Sequence, residues 1–221
     1  MQVSKRATRL LWTALSFLLI IGVAAVARRT IVLLWPGTLG GGSNSPAAAL
    51  DAGFARNRGL TLLHILLGAI YLVLASLQFV PSIRQRHLEF HRWSGRLLVA
   101  VGMVIGISAL VMSFKMNIGG PNETAATTLF AIVFLICLTK AYLFIRRKEV
   151  ARHREWMIRA YAVALGVATT RPIVGIFFAF RRLTPHEFFG VAFWLGFTIT
   201  VLVGEAWIDY TRQRLSTTGQ S

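Results

Sequence analysis

The sequence predicts an all-α integral membrane protein, a helical bundle of about six transmembrane helices with both termini cytoplasmic. Three observations predict it. Of 221 residues, 55 % are hydrophobic and only 14 % charged, whereas soluble domains carry roughly 25 % charged residues. The apolar residues gather in runs of about 20, the length that crosses a bilayer as a helix. Finally, 24 Lys+Arg stand against 8 Asp+Glu, and the basic residues cluster between the runs. A soluble chain this basic would point to nucleic acid. Here the charge is broken up by membrane-length segments, and no nucleic-acid partner is expected. The hydrophobic content excludes disorder. The single cysteine, Cys137, excludes an intrachain disulfide and any cysteine-built metal centre within one chain.

Six spans follow in order, at residues 10–27, 60–80, 97–114, 125–145, 157–180 and 188–208. Pro81 closes the second. Hydrocarbon offers no water to satisfy backbone groups, so each run is a helix. None shows the period-2 alternation of a barrel strand. The chain divides into an anchor helix at 1–35, a Gly/Ser/Pro-containing extracytoplasmic loop at 36–58, a five-helix core at 59–208 and a polar tail at 209–221. Within the loop, Gly40-Gly41-Gly42-Ser43-Asn44-Ser45 reads as a linker, and 47–58 as a short interfacial helix. The first span also resembles a cleaved signal at residues 1–27, with Ala25-Val26-Ala27 as the site. Arg28-Arg29 directly after it favours an uncleaved anchor. Asn122-Glu123-Thr124 fits a glycosylation sequon.

With a cytoplasmic N-terminus, 15 Lys/Arg fall in inside segments and 7 outside. That bias obeys the positive-inside rule. Arg28 and Arg29 run against it, and are read as interfacial residues that snorkel. Both termini are then expected on the cytoplasmic side. Anionic lipid headgroups are the expected partners of the basic inside loops.

Polar residues within spans are costly and face the interior. In the second span His64, Gly68, Tyr71, Ala75 and Gln78 step by 4, 3, 4 and 3, so they share one face. That face is either a packing seam with one buried histidine or a ligand face. The third span and its approach align His91, Gly95, Gly102, Gly106, Ala109 and Ser113. Its G-x-x-x-G admits a close helix or a flat ring. The fifth span buries Arg171 next to Pro172, with His153 eighteen residues earlier on the same face. No acidic residue lies at a matching depth in any span. Arg171 is therefore expected to meet His64, in one pocket on the stripe of Tyr71 and Gln78, around a ligand or freed carbonyls. Lys140 and Glu205 have matching depths and are expected to pair, or else to snorkel separately.

Both inside loops present histidine, arginine and tryptophan before a span: His91-Arg92-Trp93 with Arg96, and His153-Arg154-Glu155-Trp156 with Arg159. Arginine follows the charge rule and tryptophan the aromatic belt. Histidine at both mouths is unexplained by either.

Taken together, His64-Ile65-x-x-Gly68, Gln78-Phe79, Arg84-x-Arg86, His91-Arg92-x-x-Gly95-Arg96, His153-x-x-Trp156-Met157-x-Arg159 and Arg171 resemble a family of bacterial multi-pass inner-membrane proteins of unknown function, over roughly residues 55–180. The resemblance implies a helical bundle in the bacterial cytoplasmic (inner) membrane and brings no activity. More distantly, His91-Arg92-Trp93-Ser94-Gly95 is similar to the H-x-W-x-G stretch of transmembrane cytochrome b-type ascorbate ferrireductases. That similarity implies haem b, with His91 as an iron ligand and His153 its partner. The chain departs from that family in its fourth span, which has no histidine.

Three functions are compatible with these residues. The first is a redox protein binding b-type haem or quinone, with a redox partner. His64, His91 and His153 would serve haem iron, and Arg96, Arg159, Arg171, Tyr71 and Gln78 would line the cofactor. The second is a small transporter, a carrier of protons or an acidic solute, lined by Arg171, His64, Tyr71 and Gln78. The third is a non-catalytic, lipid-interacting membrane protein. No P-loop, nucleophile elbow or H-E-x-x-H occurs.

Overall fold

The computed structural model describes residues 4–36, 38, 46–116, 118–180 and 184–218. The linker at 40–45, Arg181, Arg182 and the last three residues lie outside the described residues. Among those described, every regular element is a helix.

Helices α1 (Lys5–Leu34), α3 (Arg58–Gln78), α5 (Leu88–Lys115), α6 (Gly120–Arg146), α7 (Val150–Phe180) and α8 (Pro185–Thr218) are each long and apolar enough to span. Two short helices join them, α2 (Pro46–Ala55) and α4 (Pro81–Arg86). A short helix expected over 47–58 is present as α2, at Pro46–Ala55. The inside loop before the third span is instead helical. Pro81 opens α4, where its missing N–H is no loss. His87 then ends α4 and starts α5. His91 therefore sits in the first turn of α5. The spans outrun their apolar runs because helices continue into polar flanks once the first turns are formed.

α6, α7 and α8 form the densest part, with α5 on α6, α3 on α5, and α1 against α3 and α7. The α7–α8 crossing is close because two glycines face across it. A Cβ on Gly166 would run into Phe197, and one on Gly196 into Thr170. Gly120 opens α6 at φ +68° with Gly119 against Gly190 of α8, a turn only glycine fits comfortably. The core is apolar and aromatic, with Tyr71, Leu98, Phe134, Leu138, Tyr161 and Phe197 at its centre. Lipid-facing positions such as Phe17, Ile107, Ile136 and Leu202 are exposed, as a bilayer solvent permits.

The even number of spans puts the two termini at one end, where Ser4 N–H donates to the Tyr210 hydroxyl at 3.4 Å. The other end carries α2 and is called here the Asp51 end.

Candidate functional site: a cation-lined polar face in the bundle

α3 presents its polar stripe to α5 and α7, but the stripe divides into separate levels. At 1.5 Å per residue, His64 and Gln78 lie about 21 Å apart along the axis. No single small pocket holds both.

At the Asp51 end, His64 Nδ1 lies 2.9 Å from Ser108 Oγ of α5. The Ser108 proton is directed to the Ile105 carbonyl, so the histidine N–H is the donor. Arg171 is close enough to His64 to interact electrostatically. Its Nε is buried with no hydrogen-bond partner among the described residues. None of the ion pairs among the described residues includes it. Its charged neighbours are Arg29 and Arg28 of α1. His64 and Arg171 are thus electrostatic neighbours, while Gln78 belongs to another level of α3, bonded to Ser94. Pro172, next to Arg171, lies inside α7 and has no N–H to give the preceding turn.

The acidic group lacking from the spans comes from α2. Asp51 is buried and takes two bonds from Arg28, at 3.2 and 3.0 Å, and one from Arg29. Arg29 also covers the Phe54 ring at 4.2 Å. Arg28 and Arg29 do not simply snorkel. The signal was their breach of the positive-inside bias. Glu123, also buried at this end, accepts the Gly119 N–H at 2.6 Å and closes the α5–α6 turn. Asn122 of the sequon accepts the Trp194 indole N–H at 2.9 Å.

Midway, the Tyr71 hydroxyl is buried without a partner among the described residues. One turn on, the Tyr161 hydroxyl donates to Ser76 Oγ, whose own proton goes to the Leu72 carbonyl. Gln78 donates to Ser94 Oγ at 2.7 Å, and Ser94 to the Phe90 carbonyl. Ser76 and Tyr161 carried no sequence signal, because each is a common residue inside an apolar run, and Ser94 carried none because it lies among the charged residues before the third span.

At the end of the termini, His91 interacts electrostatically with Arg84, His153 and Arg92. Arg154 interacts with Arg84. His153 donates Nδ1–H to the Ala141 carbonyl at 2.9 Å. His91 Nδ1 is buried and unpartnered among the described residues. The two loop histidines therefore come together. Arg96 is exposed. Arg159 is not part of this cluster: it grips Glu205 through two bonds, at 2.6 and 2.8 Å. Glu205 is thereby taken from Lys140, which lies instead over the Trp156 ring at 4.4 Å.

The haem expectation is tested by the glycines meant to admit the ring. A Cβ at Gly102 would already meet Leu138 and Tyr71, and one at Gly106 would meet Leu135. Side chains occupy that face, and a haem lying on it does not fit. Among the described residues no group of three or more His, Cys, Asp or Glu side chains converges as a metal site.

What remains is a polar column with an excess of cations at each end. Arg171 enters no ion pair among the described residues, and its Nε is the buried, unpartnered atom at the Asp51 end of that column. A protein family described as predicted membrane protein (DUF2306) matches residues 61–208. No curated protein and no solved structure matches the chain.

Proposed function

We propose that this chain, which belongs to the DUF2306 family of predicted membrane proteins, is a small carrier for an acidic solute. The observation that carries the reading is Arg171: a guanidinium within a membrane span, its Nε buried and unpartnered among the described residues, beside two further arginines. Isolated cations in a span are expensive and mark solute paths. An anion arriving at Arg171 supplies the missing counter-charge. His64 and Ser108 border the same level and offer polar contacts.

The path we infer follows the α3 face from Arg171 and His64, past Tyr71 and the Ser76–Tyr161 pair, to Gln78 and Ser94. It leaves at Arg84, His91, His153 and Arg154. The charge bias assigns the Asp51 end to the outside of a bacterial cytoplasmic membrane, and the basic end to anionic headgroups inside.

The test is counterflow in proteoliposomes loaded with unlabelled succinate. Labelled succinate should accumulate transiently with the intact protein and fail to do so with Arg171→Gln. Uptake no greater than in protein-free vesicles, for acetate, succinate and phosphate alike, overturns the carrier reading.

A further inference from the structure

At the Asp51 end two guanidinium groups, those of Arg28 and Arg29, share one carboxylate, and Arg171 is their electrostatic neighbour. Arg28 holds Asp51 in a fork, Nη1 on Oδ1 at 3.2 Å and Nη2 on Oδ2 at 3.0 Å. Arg29 reaches Oδ1 alone, through a single nitrogen. The Arg29 side chain is 12 % exposed and that of Arg28 40 %, so Arg29 is the inner of the two. It is also the stronger electrostatic neighbour of Arg171. One bond ties Arg29 to Asp51, and Arg28 satisfies both Asp51 oxygens without it.

We propose that Asp51 is a tethered competitor for the anion site: a small carboxylate seats on Arg171 and draws Arg29 away from Asp51, while Arg28 keeps Asp51 in its fork. The inference rests on the carrier reading and names the ligand class of that site. The class follows from the occupant already present, since this cluster seats the planar carboxylate of Asp51 in the bidentate geometry that guanidinium favours. Charge points the same way. Three arginines and one aspartate leave two positive charges, and a carboxylate lowers that excess. α2 stays in place during the exchange because Leu50, the neighbour of Asp51, is packed against Phe188 and Phe189 of α8.

The test is ligand binding to the full chain in detergent, read by tryptophan fluorescence during titration with acetate, succinate and inorganic phosphate. Asp51→Asn should tighten succinate binding on the order of tenfold, the worth of one charge-assisted hydrogen bond released to the ligand. The gain should vanish in an Arg29→Gln background. A general field effect of the lost charge would leave it intact, and that result overturns the recruitment of Arg29. Asp51→Asn leaves two arginines unopposed and could fail to fold, so the neutral-pair variant Arg28→Gln/Asp51→Asn is the second arm. It keeps the net charge, frees Arg29 and should also bind more tightly; unchanged or weaker binding overturns the proposal. Phosphate bound in preference to either carboxylate overturns the ligand class. The two readings fail separately. Uptake in vesicles with no change in Asp51→Asn affinity sinks the competitor and leaves the carrier. The expected order of variants in detergent without any uptake sinks the carrier and leaves the competitor. An intact protein that binds none of the three overturns both.

Discussion

The Arg171 guanidinium gives up hydration at Nε and receives no bond there among the described residues. An unsatisfied buried polar group costs about 1–3 kcal/mol, and a group of that kind persists where function holds it. Stability and binding should therefore move in opposite directions at this residue. Arg171→Gln is expected to raise the melting temperature of the ligand-free protein in detergent, by the equivalent of about 1–3 kcal/mol, while abolishing succinate binding. A lower melting temperature would make the guanidinium a structural group. Arg159 behaves oppositely, because its charge is answered by Glu205 at 2.6 and 2.8 Å. Glu205→Gln leaves Arg159 half-buried, with Glu155 3.9 Å away as its remaining acid. Thermal unfolding should show a clear loss in that variant and a smaller one in Arg159→Gln/Glu205→Gln, since removing one partner of a pair is worse than removing both. Matched depth in the sequence suggested Lys140 for Glu205. Depth orders residues along an axis but not around it, and the α7–α8 crossing is what turns Arg159 toward Glu205.

At the scale of elements, glycines separate what spacing reveals from what it hides. Gly102 and Gly106 lie four apart on one helix, so their close approach to a neighbour was readable, and Leu138 and Leu135 of α6 fill it. Gly166 and Gly196 meet across two helices, and a pairing between distant segments leaves no periodic mark in either. The His64–Ser108 contact was hidden for the same reason, whereas the inward turn of Tyr71, Ala75 and Gln78 was plain from their steps along α3. Asp51 was missed because α2 lies in a segment too short for a span, read only as an interfacial helix. Two substitutions test the packing. Gly196→Val should strongly lower the melting temperature in detergent, because Thr170 and the backbone of α7 occupy the space its side chain needs. Gly68→Ala should raise it by the equivalent of about 0.5–1 kcal/mol, the helix-propensity gain, since no neighbouring element lies within 4 Å of a Cβ there. Equal effects of the two would mean that α7 and α8 do not cross at these glycines.

For the whole molecule, the number of spans was the firmest reading, because hydropathy is summed over about 20 residues and survives local exceptions. Sidedness depends on fewer residues. The two cationic clusters lie toward opposite ends of the bundle, for His153 and Arg171 are eighteen residues apart on α7, about 27 Å at helical rise. The charge rule counts Lys and Arg in short loops and gives Asp and Glu little weight. Arg28 and Arg29 therefore still count against the assigned orientation, even though Asp51 answers them in the folded protein. They are outnumbered by the arginines of α4, α5 and the α6–α7 turn, where Arg84, Arg86, Arg92, Arg96, Arg146, Arg147 and Arg152 cluster. Alkaline phosphatase fused after the last helix should accordingly be inactive, and green fluorescent protein at the same point bright. Phosphatase placed in the loop before α2 should be active. Replacing the four arginines from Arg84 to Arg96 with glutamine removes the strongest inside block next to the first two spans, and should produce a mixed population at both reporters. If the C-terminal phosphatase is active in the unaltered chain, the Asp51 end faces the cytoplasm, and the carrier would meet its solute at Arg171 from within.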